Sequence, residues 1–230
     1  MSTSGLYQFN PGMGELVLYA FGLAGVRRTA ILQEHMVDAR VAANLMLAHW
    51  ANKGPNLWTV DLQTVPLVAG QATYSVPGST VMILDAYIRT MSDPGGPIDR
   101  PITPVSRSDY ASFPNKTSQG CPTVYWFDRL VAPTITLWQA PDDTQSYELQ
   151  YYRFRQVQDA DFTSGQNVEV PYRFLPAFAV GLAAWLARTY QPDKVAMLTA
   201  DSDALYASAA EQDTENALVY FTPGLGGYYR

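Results

Sequence analysis

The sequence predicts an α+β protein: a four-helix bundle, an antiparallel β module (sandwich or barrel) inserted into it, and an extended C-terminal tail. Three observations predict this. Both ends of the chain carry apolar residues at steps of three and four, the spacing of a helix face. The middle is built of short β-branched and aromatic runs separated by Gly, Pro, Asp and Asn. The last ten residues, FTPGLGGYYR, have neither periodicity.

In chain order, residues 14–25 form the first expected helix, with Leu16, Val17, Ala20 and Leu23 along one side and Gly25 as its stop. A second runs over roughly 30–53, with Leu32, Met36, Ala39, Ala43, Met46 and Trp50 as its stripe. Thr29 is its expected cap, and Gly54-Pro55 ends it. Six strands are expected between 57 and 156: LWTVDLQTV, ATYSV, VMILDAYIRT, TVYWFDR, TITLWQA and YELQYYRFR. Turn signals VAGQ, VPGS, SDPGGP and APDD lie between them. Ile135 and Leu137 alternate with Thr134, Thr136 and Trp138, the pattern of a half-buried strand. SRSDYASF (106–113) reads as one short helix inside this region.

Helical texture returns at 170–191, with Phe174, Phe178, Leu182, Trp185 and Leu186 on one broad face. Pro176 fits only near a helix start, which moves that start toward 174, and Gly181 among alanines allows another helix to come close. The last helix is expected over 192–216, with Val195, Leu198, Leu205 and Ala209 as its apolar positions. The expected organisation is therefore a discontinuous bundle (1–56 and 171–216), an inserted β module (57–170) and a tail (217–230).

Composition narrows the function. The 230 residues are 47% hydrophobic and 16% charged, ample for a core and too weakly charged for a disordered chain. A net charge of −6 lacks the basic footprint of a protein that grips phosphates. The single Cys121 excludes an intrachain disulfide. The apolar run FLPAFAVGLAAWLA is too short to span a bilayer, so no membrane partner is expected.

Chemistry is poorly represented. His35 and His49 fall on one helix, roughly 21 Å apart, and cannot share a metal. Glu34 and Asp38 are four residues apart and read as surface carboxylates. PGLGG lacks the lysine and the following helix of a phosphate loop. No catalytic residue, metal or cofactor is expected. Between 192 and 216 stand Asp193, Asp201, Asp203, Glu211, Asp213 and Glu215 against Lys194 alone. Such a face is either solvated or turned toward a polyanion that must not adhere.

ELVLYAFGLAGV followed by ARVAANLMLAHWANKGPNLWTV resembles the start of the head-to-tail adaptor proteins of tailed bacteriophages, the group that includes the podovirus tail accessory or head-completion protein. PLVAGQATYSVPGSTVMILDAYIR, RPITPVSRSDYASFPNKTSQGCPTVYWFDR, ITLWQAPDDTQSYELQYYRFRQVQDA and VPYRFLPAFAVGLAAWLA continue the resemblance, which covers about residues 14 to 190. It rests on ordered segments, with no single motif, and the shorter adaptors lack so large a β insertion.

The resemblance implies a virion protein of the neck, made in the host bacterial cytoplasm. It would form a twelve-fold ring of identical subunits beneath the portal protein. DNA would pass through the ring unbound, and the β module would face a tail nozzle or tail-tube protein. It also implies that the C-terminal segment lies along the portal, which makes Phe221, Pro223, Leu225, Tyr228, Tyr229 and Arg230 the expected portal contacts. Asp201, Asp203, Glu211, Asp213 and Glu215 become the expected channel-facing acids. The alternatives are a tail component whose β module binds a carbohydrate or receptor, and a cell-wall hydrolase with a carboxylate pair.

Overall fold

The computed structural model describes residues 5, 9–54, 57–92, 96–161 and 166–214. Helices α1 (Met13–Ala24) and α2 (Gln33–Ala51) come first. Strands β1 (Val60–Pro66), β2 (Thr73–Ser75), β3 (Thr80–Ser92) and β4 (Gly96–Pro104) follow, then the short helix α3 (Arg107–Ser112). Strands β5 (Val124–Asp128), β6 (Thr134–Trp138) and β7 (Tyr147–Arg155) lead to α4 (Leu175–Tyr190) and α5 (Val195–Glu211).

The expected four-helix bundle is not what forms. Among the described residues the molecule is a mixed α+β protein with five α-helices and one curled seven-stranded sheet, a half-barrel. The physical reason lies in α4. Each helix of a bundle buries one stripe, whereas α4 buries Leu175, Ala177, Phe178, Ala179, Gly181, Leu182, Ala183, Ala184, Leu186 and Ala187, which reach round most of its circumference. It is a central helix, and α1, α2 and α5 each lie along it. Residues 157–161 and 166–170 also line this core, through Val157, Ala160, Val168 and Val170. They are tied down by Asn44, whose side chain donates to the Ala160 carbonyl (3.1 Å) and accepts from the Ala160 amide (2.7 Å).

Gly181 allows the close approach its small size suggests, and to two helices at once. A Cβ there would stand 2.7 Å from Met46 Sδ on α2 and 2.9 Å from Ser202 Oγ on α5. Gly25 ends α1 at φ 96°, a left-handed conformation that favours glycine. α2 starts three residues later than expected, because Arg28–Ala30 form a separate turn of 3₁₀ helix and Thr29 caps nothing. The Leu32 amide instead donates to Nδ1 of His35 at 3.2 Å. In α5 the buried positions are Leu198, Ser202, Tyr206 and Ala209, while Leu205 is exposed. The ring of Tyr206 decides this phase by packing 5.0 Å from Trp50 and 5.6 Å from Phe174.

The sheet runs β1-β7-β3-β4-β5-β6-β2. It is neither a sandwich nor a closed barrel, since β1 and β2 remain as edges. Nor is it wholly antiparallel, since β4 and β5 pair in parallel through Thr103–Val124 and Pro104–Tyr125. The last strand, β7, lies between β1 and β3. Register shifts along β3 at Thr80/Met82 and Ile83/Asp85 bend the long strand. Ile88, Ile135, Leu137, Leu149 and Tyr151 fill the sheet's core.

Six strands are expected from the sequence and seven form. β4 escapes a sequence reading because it holds Pro97, Pro101 and Pro104. Its pairing accommodates the first two. The Thr103 and Val105 amides point to β5, donating to the Thr123 and Tyr125 carbonyls. By the two-residue period of a strand, positions 97 and 101 face that same side, away from β3. The missing proline N–H groups therefore fall where β3 needs no donor.

Candidate interaction surfaces

Of the acids singled out in the sequence, Asp201, Asp203 and Glu211 lie on α5, Asp193 just before it and Asp213 just after it, and the fold gives them unequal roles. Asp203 pairs with Lys53, just past the end of α2, at 2.7 Å. Asp213 pairs with Arg173, just ahead of α4, and its other oxygen accepts the Leu57 amide at 2.8 Å. Its side chain is 3% exposed, so Asp213 fastens the end of α5 to the entry of α4 and the approach to β1. Asp201 and Glu211 are exposed and form no ion pair among the described residues. Glu215 lies outside the described residues. The helix is thus less anionic in effect than its composition suggests. Lys194, its one base, donates to the Leu23 carbonyl at the end of α1 (3.4 Å), where a cation suits the helix dipole.

Phe221, Pro223, Leu225, Tyr228, Tyr229 and Arg230, the expected portal contacts, also lie outside the described residues. Arg173, held by Asp213, lines a groove of about 530 Å³ between the N-terminal halves of α1 and α4. Its aromatic walls are Phe9 (69% exposed), Tyr19 (53%) and Tyr172 (74%), with buried Leu16 and Leu175 at the base and exposed Pro176, Arg28 and Glu15 around it. Exposed aromatics around a concave apolar base are the composition of a protein contact. Sequence reading missed this groove, although Tyr19 falls off the apolar stripe of α1 and was the available signal.

A second cleft, beside the sheet, is polar and satisfied from within. Arg155 reaches Glu169 through Nη1 (2.9 Å) and Nη2 (2.5 Å) and lies 3.5 Å from Asp61. Arg153 also binds Asp61. Two guanidinium groups and two carboxylates thus join β1 and β7 to the segment that enters the helical core. Arg153, by hydrogen bond and charge, holds the Asp61 carboxyl below its usual range, and Arg155 does the same to Glu169.

The residues weighed for chemistry are occupied otherwise. His35 stacks on Tyr190 (centroids 4.9 Å apart) and meets Phe21 edge-on. Asp38 accepts the Tyr190 hydroxyl, and burial with that carboxylate pushes the phenol up to about 12. His49 lies more than three turns along α2 from His35, exposed beside Trp50 and Lys53. Cys121 sits half-buried against the sheet core. No group of three or more His, Cys, Asp and Glu gathers as a metal site among the described residues. No described helix is long and apolar enough to cross a membrane.

Comparison with known proteins adds one match. The family model described as SU10 adaptor protein matches residues 26–223, which takes in α2, all seven strands, α4 and α5. No curated protein matches the chain.

Proposed function

This chain belongs to the SU10 adaptor protein family, and on that premise we propose that it is a virion neck protein joining capsid and tail. The membership supports a structural, adaptor role in a bacteriophage. It also favours that role over a receptor-binding tail component or a cell-wall hydrolase. In the proposed assembly, identical copies close into a ring, twelve-fold by analogy with the resembling adaptors, beneath the portal protein. The ring lengthens the DNA channel and offers the curled sheet to a nozzle or tail-tube protein. DNA passes without specific binding, consistent with a chain of net charge −6.

Residues 217–230 are proposed as the portal-binding segment, with Phe221, Tyr228 and Tyr229 as anchors. Just ahead of this segment in sequence, Asp213 is fastened to Arg173 and to the Leu57 amide. The acids on and beside α5 enter this reading differently from a uniform channel lining, because Asp203 and Asp213 already have cationic partners.

The family match over most of the chain is the observation that carries the proposal. The test is the mass and electron-microscopic shape of the protein alone and mixed with its portal, for the full chain and for a chain ending at residue 216. A ring with a central hole on the portal is expected for the full chain. A truncated chain that stays folded but fails to bind is expected for the second. Portal binding that survives the truncation would place the contact elsewhere. Absence of any portal complex with the full chain would remove the adaptor reading.

A further inference from the structure

β1 is an edge of the sheet, with its outer side unpaired among the described residues. The Leu67 amide donates to the Tyr147 carbonyl at 2.9 Å, so by the two-residue period Asp61, Gln63 and Val65 also turn their backbone groups to β7. Leu62 and Thr64 turn theirs outward, and Pro66, which has no N–H to offer, falls on the same outer side. Both Leu62 and Thr64 are exposed. Natural edges are commonly blunted by free charges or a bulge. β1 has neither: its register against β7 is unbroken, and its one charge, Asp61, is held by Arg153 and Arg155. Beside the edge, Leu62 (42% exposed) and its register partner Tyr152 (40%) leave an apolar patch on one face.

The chain itself supplies a segment that fits this edge. Asp213 accepts the Leu57 amide at 2.8 Å, which sets the chain just past α5 beside the residues that lead into β1. Residues 217–222, outside the described residues, read ALVYFT. That is an uncharged run of β-branched and aromatic residues, the composition of the strands of this sheet, and Pro223-Gly224 closes it. The five steps of chain from Asp213 to Leu218 span about 17 Å at most. β1 is about 20 Å long and begins beyond Leu57. Leu218 can therefore stand at the start of β1 and not at its far end, so a strand formed here runs parallel to β1.

We infer that residues 218–222 add to the free edge of β1 of the same chain as a further parallel strand and bond the outward backbone groups of Leu62 and Thr64. In strand addition the main-chain bonds supply the affinity. Strand side chains alternate, so either Leu218 and Tyr220 or Val219 and Phe221 cover the patch of Leu62 and Tyr152. No charge opposes the pairing, because 217–222 carries none and Asp61 already has its cations. The inference goes beyond the adaptor reading and does not need it. It leaves residues 223–230 as the part of the tail that reaches a portal.

Residue-resolved hydrogen exchange of the full chain, without portal, tests it. The Leu62 and Thr64 amides are expected to exchange about tenfold or more slowly than in a full-length chain carrying Val219→Pro and Tyr220→Pro, whose prolines remove strand donors. The Gln63 and Val65 amides, bonded to β7, should exchange alike in both. If the prolines change all four, a chain ending at residue 216 supplies the comparison. Leu62 and Thr64 amides as fast in the full chain as in the altered ones overturn the inference. So does protection that rises with protein concentration, which assigns the edge to a strand of a second copy. A full chain that binds its portal while these amides stay fast loses only this pairing. Protected amides in a chain that binds no portal remove only the adaptor contact.

Discussion

Arg153 of β7 clamps Asp61 of β1: its Nε donates to Oδ1 at 2.7 Å and its Nη2 to Oδ2 at 3.1 Å. The remaining arm, Nη1, donates to Ser79 Oγ (3.2 Å) and Thr80 Oγ1 (3.0 Å). The arginine is 6% exposed, so its charge has left most of its water behind and depends on these partners. Asp61→Ala strands that charge. The expected loss is about 3 kcal/mol, read as a lower denaturant midpoint with an unchanged slope. A loss under about 1 kcal/mol would mean that solvent and the Ser79 and Thr80 hydroxyls suffice for the arginine.

The same network sets a response to acid. The carboxyls of Asp61 and Glu169 are held below their ordinary values of 3.8 and 4.5 by Arg153 and Arg155. A carboxyl lowered in the folded state adds stability that is complete above its unfolded value and lost as pH falls through the folded one. Thermal stability is therefore expected to be insensitive to these groups from pH 7 to about 5 and to fall below about 4.5. In Asp61→Asn the acid-induced part of the fall should shrink. An equal fall in the variant would assign the acid sensitivity to other carboxylates.

Gly181 marks the tightest helix contact. Gly181→Leu forces a side chain between Met46 and Ser202 and is expected to cost about 1–3 kcal/mol. Gly181→Ala should be near neutral, because its better helix propensity, about 1 kcal/mol, offsets the shift demanded of those two flexible side chains. Melting curves of the two variants check the contrast.

Trp50 is 2% exposed and touches Phe174, Phe178 and Tyr206. Trp50→Ala is expected to cost about 3–5 kcal/mol and to weaken the near-ultraviolet circular dichroism of this aromatic cluster. A retained signal and midpoint would show that the three helices hold without it.

Asp213→Ala removes the acceptor of the Leu57 amide and the partner of Arg173. Faster exchange of the Leu57 amide is expected, with a stability loss of about 1–2 kcal/mol. Unchanged exchange would mean that the amide finds its protection elsewhere.

The helices were legible because their signals are local. Gly25 and Gly54 fall just beyond the ends of α1 and α2, and Pro176 falls at the start of α4. Strands with alternating residues, such as β6, were equally legible. β4 was not, because three prolines argue against a strand unless the unpaired side is known. The charged pairs were invisible for another reason. Lys53 and Asp203 stand 150 residues apart and Arg153 and Asp61 stand 92 apart, and nothing in one sequence links positions so distant. Family resemblance, by contrast, needed only ordered segments, and the family match bears it out.

What the sequence determined by itself is the run of local conformations: four long helices, most of the strands, their stops, and the adaptor-like order of segments. Those depend on propensities, caps and periodicities that act within a few turns of chain. Only the tertiary structure decided that α4 lies at the centre, that β7 enters between β1 and β3, and that β1 is left as an edge. The reason is that burial is shared between elements distant in sequence. An apolar stripe states that a face seeks cover, and only the assembled neighbours show which face found it.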